Sequence, residues 1–203
     1  MTEKKAGQER EQEEGRGRPS EQDTGTMADR DELAVRLGQL ARSLQAEDDQ
    51  DLMLDEVIRA AVELVPGAAH GSISRVINHS QVIPEHFTGP LAVQVEEAQT
   101  ELGQGPCLAS IYEQVTVRLS DTATDQRWPA FSRRAHTLGV RSMLAVQLYV
   151  DGDNLGSLNL FGTEPDAFDD ESEHIGLLFA AHAAIACTPL FAFTLGPPGR
   201  DAR

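Results

Sequence analysis

The feature that most constrains the fold is a pair of alternating segments, residues 140–150 and 155–161. One set of alternate positions in the first segment is almost entirely apolar: Val140, Leu144, Val146, Leu148 and Val150. A β-strand places successive side chains on opposite faces, so this period of two predicts a strand. Residues 151–154 between the segments are typical of a turn, because Gly and Asn tolerate positive φ. Together they predict a β-hairpin.

Neither arm of this hairpin has a wholly polar face, so we expect both of its faces to be covered. One face is strongly apolar and suits helix packing. The other face mixes small and polar side chains: Met143, Ala145, Gln147, Ser157 and Asn159. Such a mixture predicts the floor of a small cavity. The alternative is an ordinary core in which a few polar groups are hydrogen-bonded.

The remaining segments alternate between helix and strand patterns, which predicts an α+β fold with helices packed on an antiparallel sheet. The last helix is expected to begin at Asp169 and to bury Ile175, Leu178, Phe179, His182 and Ile185. Helices are predicted from Asp29 or Asp31 to about Ala46, after Asp48, and over 90–102, 106–114 and 129–138. Strands are predicted over 70–77, 81–87 and 115–119.

The ends of the chain differ in composition from its centre. Residues 1–26 are charged and nearly free of large apolar side chains, which predicts disorder. The predicted domain covers 27–187, with an N-terminal helix over 27–47 and a C-terminal tail over 188–203. Leucines at 33, 37, 40 and 44 form a stripe that suits either a short coiled coil or packing on the sheet. The apolar run 190–195 is expected to pack on the domain or on a dimer mate.

Composition restricts the partners and the cellular compartment. The formal net charge is −16, and the only lysines are Lys4 and Lys5, so direct nucleic-acid binding is not expected. Two cysteines, Cys107 and Cys187, do not suggest a disulfide framework. No apolar run approaches the roughly 20 residues of a membrane span, and no signal core is present. These features predict a cytoplasmic protein that does not enter the membrane.

Five segments between Glu101 and Ala186 carry a family resemblance: LGQGPC, DTATDQRWPAF, LGVRSMLAVQL, LGSLNLF and AFDDESEHIGLLFAAHAAIA. In this order they resemble the GAF domains of actinobacterial regulators that pair a GAF sensor with an ANTAR RNA-binding domain. The resemblance implies a GAF-like (PAS-related) fold with helices on one face of the sheet and a pocket on the other. It also implies a small-molecule or redox sensor and a homodimer formed through terminal helices. It leaves the ligand and any cofactor unknown.

The sequence departs from these regulators after the last helix, which is expected to end at Thr188 and Pro189. The remaining tail is too short for the RNA-binding module, so signal output is expected through a partner or through the tail. Some GAF sensors bind haem through one histidine, and His86 or His136 would then be the ligand, although both are expected on loops or helix surfaces. No spacing of the histidines or cysteines predicts a metal site.

Cys107 is the strongest candidate for a reactive residue, because it lies at a predicted helix N-terminus, where the helix dipole lowers the pKa of a thiol. Free methionine sulfoxide reductases of the GAF class use such chemistry with several nearby cysteines. Here Cys187 is far along the chain, so a small buried residue is the favoured interpretation of Cys107. No catalytic residue is predicted. The candidate ligand-binding residues are Cys107, Tyr112, Trp128, Phe131, Met143, Gln147 and Asn159.

The leading hypothesis is a stand-alone, non-enzymatic GAF sensor that binds a small molecule between the hairpin and the loops around Cys107 and Trp128, and acts in signal transduction or transcriptional regulation. The first alternative is a Cys107-dependent thiol redox enzyme or redox sensor. The second alternative is a protein-interaction or dimerisation module with a vestigial pocket.

Overall fold

The computed structural model describes residues 21–47, 49–77, 81–150 and 153–188. The described helices are α1 (Glu21–Ala46), α2 (Gln50–Leu64), α3 (Pro90–Leu102), α4 (Pro106–Glu113), α5 (Pro129–Thr137) and α6 (Asp170–Cys187). The strands are β1 (His70–Ile77), β2 (Gln81–Phe87), β3 (Val117–Leu119), β4 (Ser142–Val150) and β5 (Asp153–Gly162). They form one antiparallel sheet in the order β2-β1-β5-β4-β3. This confirms the predicted α+β class.

Helix α1 begins earlier than the sequence predicted. Residues 21–26, expected to be disordered, form its first turns. The segment from Glu21 contains no proline and carries acidic residues, which favour a helix N-terminus. The chain divides into two compact units between Gln39 and Leu40, and the sheet with the other five helices belongs to the second unit. The predictions for residues 1–20 and for the tail after Thr188 lie outside the described residues.

The hairpin β4–β5 forms the centre of the sheet, as predicted. Asn159 lies opposite Ala145 and Ser157 lies opposite Gln147, so the mixed positions share one face, which we call the upper face. The turn is shorter than expected, because Asp153 and Asn154 already pair with β4. Residues 151–152 lie outside the described residues. The pairing therefore extends the hairpin by two residues beyond the segment that the sequence indicated.

The lower face of the sheet is apolar and is covered by α2 and α6. Its fully buried side chains come from β1, β4 and β5: Ile73, Leu144, Val146, Leu148, Leu158 and Leu160. At Gly71 on β1, an added Cβ would meet Val62 and Ile58 of α2 at 3.0 and 3.2 Å. Helix α2 is capped by Asp49, whose side chain accepts the amides of Asp51 and Leu52. The helix therefore sits almost directly on the backbone of β1.

Helix α6 turns a different face to the sheet than predicted. Asp169 caps it as expected, in a reciprocal arrangement with Ser172. Ile175 and Phe179 are buried, but Ile185 is 67% exposed. The buried stripe instead runs through small residues: Gly176, Ala180, Ala183 and Ala184. Small side chains let the helix approach closely, since a Cβ at Gly176 would lie 3.2 Å from Leu144. The close approach of α6 to the sheet, more than the size of its apolar side chains, therefore determines which face of the helix is buried.

Candidate functional site

The upper face of the sheet is covered by α3, α4 and α5, and it divides into two halves of opposite character. One half is an apolar cluster. Met143 and Phe161 from the hairpin and Leu119 from β3 pack there against helices α3 and α5. The helix residues are Ala92, Val95, Ala98, Phe131 and Ala135, all fully buried. This half is held together by apolar contacts.

The other half is a cluster of buried polar side chains, which we call the buried polar network. Strand β1 supplies two serines, β5 a serine and an asparagine, α3 a glutamate and a glutamine, and α4 a cysteine and a serine. Each is at most 1% exposed: Ser72, Ser74, Ser157, Asn159, Glu96, Gln99, Cys107 and Ser110. Buried polar groups are costly unless they are hydrogen-bonded, so their partners decide whether this arrangement is stable.

Glu96 is the charged centre of the network. Its Oε1 accepts a hydrogen bond from Ser72 Oγ at 2.5 Å. Its Oε2 accepts from Gln99 Nε2 at 3.2 Å and from Ser74 Oγ at 3.5 Å. Burial raises the pKa of Glu96 to about 7, although the hydrogen bonds, Ser72 first, favour the charged form. Near neutral pH both protonation states of this carboxyl group are therefore populated.

Asn159 connects the two strands under Glu96. Its Oδ1 accepts from Ser157 Oγ at 2.9 Å, and its Nδ2 donates to Ser72 Oγ at 3.3 Å and to Ser74 Oγ at 3.5 Å. The buried amide is therefore paired with side chains of its own chain. The sequence predicted Asn159 as a candidate ligand-binding residue, and its hydroxyl partners were not foreseen.

Gln99 explains the glycine-rich loop between α3 and α4. Its Oε1 accepts the backbone amide of Cys107 at 2.9 Å, which satisfies one of the free amides at the start of α4. Gly105 has φ 139°, and an added Cβ would lie 2.3 Å from Gln99 Oε1. Only glycine leaves room for this side chain there. The loop therefore serves to seat Cys107 against the network.

Cys107 is buried inside this network rather than activated by the helix end. Burial raises the pKa of its thiol well above the usual range, and the negative charge of Glu96 raises it further. Both effects favour the neutral thiol and outweigh the helix dipole. Cys187 lies apart from the network, and burial raises its thiol pKa to about 11. The geometry agrees with the small buried residue that the sequence favoured.

The seven candidate ligand-binding residues do not surround one cavity. Cys107 and Asn159 belong to the buried polar network, whereas Phe131 and Met143 belong to the apolar cluster. Trp128 is partly buried against that cluster, with the Arg127 guanidinium 4.5 Å from its ring centroid. Tyr112 is 65% exposed. Gln147 lines a separate groove at the edge of the sheet.

The prediction of a cavity above the hairpin is therefore wrong for the centre of the upper face. Met143, Ala145 and Asn159 are all fully buried. Side chains from α3, α4 and α5 fill that space: Val95 and Phe131 lie in the cluster around Met143, and Ala109 packs with Ala145. Open space lies at the margins of the upper face instead.

One of these open spaces adjoins Glu96, and we call it the Glu96 groove. Its volume is about 350 Å³. Apolar side chains from β2 and α3 form part of the wall and glutamates of α3 form the rest. The lining residues are Pro84, Phe87, Val93, Glu96, Glu97, Thr100 and Glu101. Glu96, whose carboxyl group belongs to the buried polar network, is thus also part of the wall of this groove.

Sequence reasoning missed Glu96, Gln99 and the two β1 serines. A usable signal existed in α3, where Ala92, Val95, Glu96 and Gln99 follow the i, i+3, i+4, i+7 spacing of a core-facing stripe. A carboxylate in such a stripe is unusual and marks a special environment. Among the histidines, His86 was expected at the surface but is buried, with Nδ1 2.9 Å from Asp55 Oδ1.

Two further features are absent from the described part of the chain. No helix there combines the length and apolar character needed to cross a bilayer. Within the same residues, no group of three or more His, Cys, Asp and Glu side chains is placed to hold a metal ion.

Comparison with known proteins gives a family and a set of distant structures. The family model described as GAF domain matches residues 47–187. A search of curated protein sequences found no significant match. A free methionine-R-sulfoxide reductase from Neisseria meningitidis, solved with its substrate, is 20% identical with a TM-score of 0.60, over 77% of this chain and 90% of that chain.

Two further GAF structures are about as similar. The GAF domain of a phosphoenolpyruvate-protein phosphotransferase from Coxiella burnetii is 18% identical with a TM-score of 0.59, over 76% of this chain and 91% of that chain. A putative GAF sensor protein from Burkholderia vietnamiensis is 17% identical with a TM-score of 0.58, over 78% and 98%. At these identities the likeness establishes the fold alone.

The reductases correct one expectation from the sequence. Structures from Neisseria meningitidis, Staphylococcus aureus and Thermoplasma acidophilum are enzymes built on this fold. The expectation that the chain is not an enzyme is contradicted by these neighbours, because the same fold carries catalysis as well as sensing. It had rested on the lack of a recognisable catalytic motif, and that lack does not exclude an activity.

Proposed function

The chain belongs to the GAF domain family, and on that premise we propose that it senses a small molecule bound in the Glu96 groove and relays binding through the buried polar network. GAF domains are a sensor and regulatory fold that binds small molecules. The ligand-binding residues proposed for this chain are therefore Glu96 and its groove neighbours. Cys107 and Asn159 are not among the residues that line the groove, and they contribute as members of the buried polar network.

The observation that supports this proposal is a buried glutamate that forms part of the wall of an open groove. Glu96 is 1% exposed, yet it contributes to the wall of the groove. A carboxylate in a protein interior costs several kcal/mol of desolvation unless it is well paired, so such groups are rare outside functional sites. Groups with strongly shifted pKa values cluster at binding and catalytic sites for the same reason.

The surroundings of Glu96 restrict the ligand. Glu97 and Glu101 line the same groove, so an anionic ligand would be repelled there. A neutral or cationic molecule that donates a hydrogen bond would favour the charged form of Glu96. Phe87, Pro84 and Val93 supply the apolar wall that such a molecule would contact.

The network offers a physical route from the groove to the rest of the domain. Glu96 contacts Ser72 and Ser74 on β1, and both contact Asn159 on β5. Through Gln99, the same helix holds the amide of Cys107 at the start of α4. A ligand that changes the charge of Glu96 therefore changes the balance of hydrogen bonds on two strands and one helix.

The cellular role follows from the likeness to GAF–ANTAR regulators. Five segments of this sequence match those regulators in order, which supports a role in signal transduction or transcriptional regulation in the cytoplasm. A homodimer through the terminal helices and output through a partner protein are parts of the same proposal.

A second candidate function is a Cys107-dependent thiol enzyme or redox sensor. The contact between the Cys107 thiol and the Glu96 carboxyl group favours it, because a carboxylate beside a thiol is a potential base. The raised thiol pKa and the burial of Cys107 weigh against it. Free methionine-R-sulfoxide, named by several structural neighbours, is the first substrate to test.

The test of the sensor proposal is ligand-dependent thermal stabilisation of the full chain across a metabolite library that includes free methionine-R-sulfoxide. Hits are repeated on Glu96→Gln, with Glu113→Gln as the control, because Glu113 is an exposed glutamate outside the groove. We expect Glu96→Gln to lose at least tenfold in affinity and Glu113→Gln to match the wild type. Equal stabilisation of all three proteins would contradict the site. Turnover of the sulfoxide with dithiothreitol, lost in Cys107→Ser, would favour the second candidate.

A further inference from the structure

The two edges of the sheet differ in how well they are protected against the addition of another strand. Strand β2 forms one edge, and it contains Pro84, which has no amide hydrogen to donate to a further strand. The charged Glu85 is the extra residue of a β-bulge, since the pairing of β2 with β1 passes from Pro84 directly to His86. Proline, charge and a bulge all hinder strand addition, so this edge is well protected.

The opposite edge is protected over only part of its length. Strand β3 covers β4 at residues 143–145, and β3 is short and carries Arg118, which is paired with Asp170 at 3.1 Å. Beyond that point, residues 146–150 of β4 pair only with β5 within the described residues. In an antiparallel strand every second residue directs its N–H and C=O groups to the same side, so this segment also has backbone groups that face away from β5.

The sequence of this uncovered segment suits strand pairing. Residues 146–150 read Val-Gln-Leu-Tyr-Val, without a charge or a proline. β-Branched and aromatic residues favour strands. The β-bulge in this part of the hairpin involves Leu155 on β5, which the pairing skips, and not a residue of β4. An apolar edge of this kind pairs readily with another extended chain.

An open groove borders the segment, and we call it the edge groove. It has a volume of about 400 Å³ and is lined by Gln114, Val115, Thr116, Gln147, Tyr149 and Leu177. Gln147 and Tyr149 belong to the upper face of the sheet, whereas Leu177 comes from α6 under the lower face. Val115, Tyr149 and Leu177 are exposed apolar side chains. A strand added here would therefore find apolar contacts on both of its faces.

The polar properties of the edge groove favour a peptide as its occupant. Gln147 Nε2 is buried without a hydrogen-bond partner among the described residues, which is unfavourable for a donor. If this amide turns into the groove, that nitrogen gives up no hydrogen bond and can donate to a backbone carbonyl group. None of the six lining residues is charged, whereas three glutamates line the Glu96 groove. Burying a charge is costly, so the occupant should be uncharged where it enters.

We propose that the edge groove binds an extended segment of a partner protein, which adds to the sheet as a strand beside residues 146–150. The backbone of that segment pairs with β4, one of its carbonyl groups accepts from Gln147, and its side chains contact Val115, Tyr149 and Leu177. Five strand residues span about 17 Å, so a segment of five or six residues is long enough. Uncharged β-branched and aromatic residues suit the groove, and flanking basic residues suit the net charge of −16.

This docking site is compatible with the rest of the proposed function and does not depend on it. Of the six lining residues only Leu177 belongs to a terminal helix, so the site leaves most of α6 and all of α1 for a homodimer. Peptide binding is measured without a small molecule, so its failure would leave the Glu96 groove as a ligand site unaffected.

The experiment is selection of random eight-residue peptides, displayed on phage, against the full chain. We expect enrichment of peptides that alternate β-branched and aromatic residues, with no proline at the centre. The dissociation constant of the most enriched peptide should rise at least tenfold for Val115→Lys with Tyr149→Lys. The control with the same change of charge is Leu52→Lys with Leu102→Lys, two exposed leucines outside the groove, and it should match the wild type. No enrichment, or equal binding to both double variants, would overturn the inference.

N-methylation of the enriched peptide tests whether its backbone pairs. Two versions are made, methylated at the odd or at the even positions, so each loses the N–H donors along one edge. We expect one version to bind at least tenfold more weakly and the other to bind like the parent peptide, because an added strand pairs with β4 along one edge only. Retained binding of both versions, or loss of both, would contradict strand addition.

Hydrogen exchange and sedimentation locate the contact. The parent peptide should slow amide exchange in residues 146–150 at least fivefold and leave β2 unchanged, and slowing on β2 instead would contradict the site. The Val115→Lys and Tyr149→Lys pair should keep the oligomeric state of the wild type. A dimer that dissociates in this double variant would assign the edge to a second copy of the chain and would overturn the inference.

Discussion

The two halves of the upper face bury their side chains by opposite means. Around Phe131 and Met143 the burial is apolar, and each large side chain gains about 1.5–3 kcal/mol from leaving water. Around Glu96 and Asn159 the burial is polar, and a buried hydrogen bond adds only about 0.5–1.5 kcal/mol net. The apolar half can therefore hold the domain together, while the polar half adds little stability and is better suited to respond to a ligand or a proton.

The largest expected effect is in the apolar half. Phe131→Ala should lower the free energy of unfolding by about 3–5 kcal/mol, because it removes a fully buried ring and leaves a cavity. Urea denaturation measures the change. Tyr112→Ala is the control, since Tyr112 is exposed, and it should change stability by less than about 0.5 kcal/mol. Similar losses for both variants would mean that the burial of Phe131 does not stabilise the domain as described.

The second effect is the pH dependence of Glu96. Its pKa is raised from 4.5 to about 7 in the folded state, so the folded chain binds the proton more tightly than the unfolded chain does. The stabilisation that this proton gives to the folded state is complete below about pH 4.5 and is lost as the pH rises to about 7. It amounts to about 3 kcal/mol in total, since one pKa unit corresponds to roughly 1.4 kcal/mol.

Urea denaturation between pH 5 and pH 8 tests this sign. Other carboxylates titrate as well, so the quantity to compare is wild type minus Glu96→Gln. The stability of the wild type should fall relative to Glu96→Gln as the pH rises, since glutamine does not titrate. A difference that is constant across this range would show that Glu96 keeps an ordinary pKa, and one that grows in favour of the wild type would show that its pKa is lowered instead.

The third effect is on the hydrogen bonds of the polar half. Asn159→Ala should cost about 1–3 kcal/mol, because the hydroxyl groups of Ser72, Ser74 and Ser157 lose a buried partner. Thermal unfolding measures this loss of stability. The same experiment on Asn159→Ala with Ser157→Ala should recover part of the loss, since fewer polar groups then stay unpaired. A neutral single variant would mean that Asn159 does not hold the network.

The smallest effect sharpens the comparison. Met143→Leu conserves volume in the apolar half and should cost less than about 1.5 kcal/mol. Asn159→Asp conserves volume in the polar half but places a second carboxylate in contact with the serines that hold Glu96, so it should cost more. Equal costs in chemical denaturation would show that shape, and not polarity, governs both halves.

The sequence predicted the framework of this domain better than its site. Strands β1 and β2 and helix α3 have the predicted limits, because alternation and the proline and glycine at their ends are local signals. The stripe of α6 was misjudged at Ile185, because its orientation depends on how closely Gly176 approaches Leu144. The site was missed because Glu96, Ser72 and Asn159 come from three distant segments, and only the strand order brings them together.

The hydrogen bond between Ser72 and Asn159 joins residues that are 87 positions apart in the chain. Hairpin β4–β5 closes through contacts that are near in sequence, whereas β1 reaches β5 only by closing a long loop, which is the slower event. We expect the polar contacts beneath Glu96 to assemble late, because these side chains can pack only after β1 has paired with β5. Substitutions there should leave the refolding rate nearly unchanged and speed unfolding. On that expectation, the region of the domain that forms last is also the region that opens first.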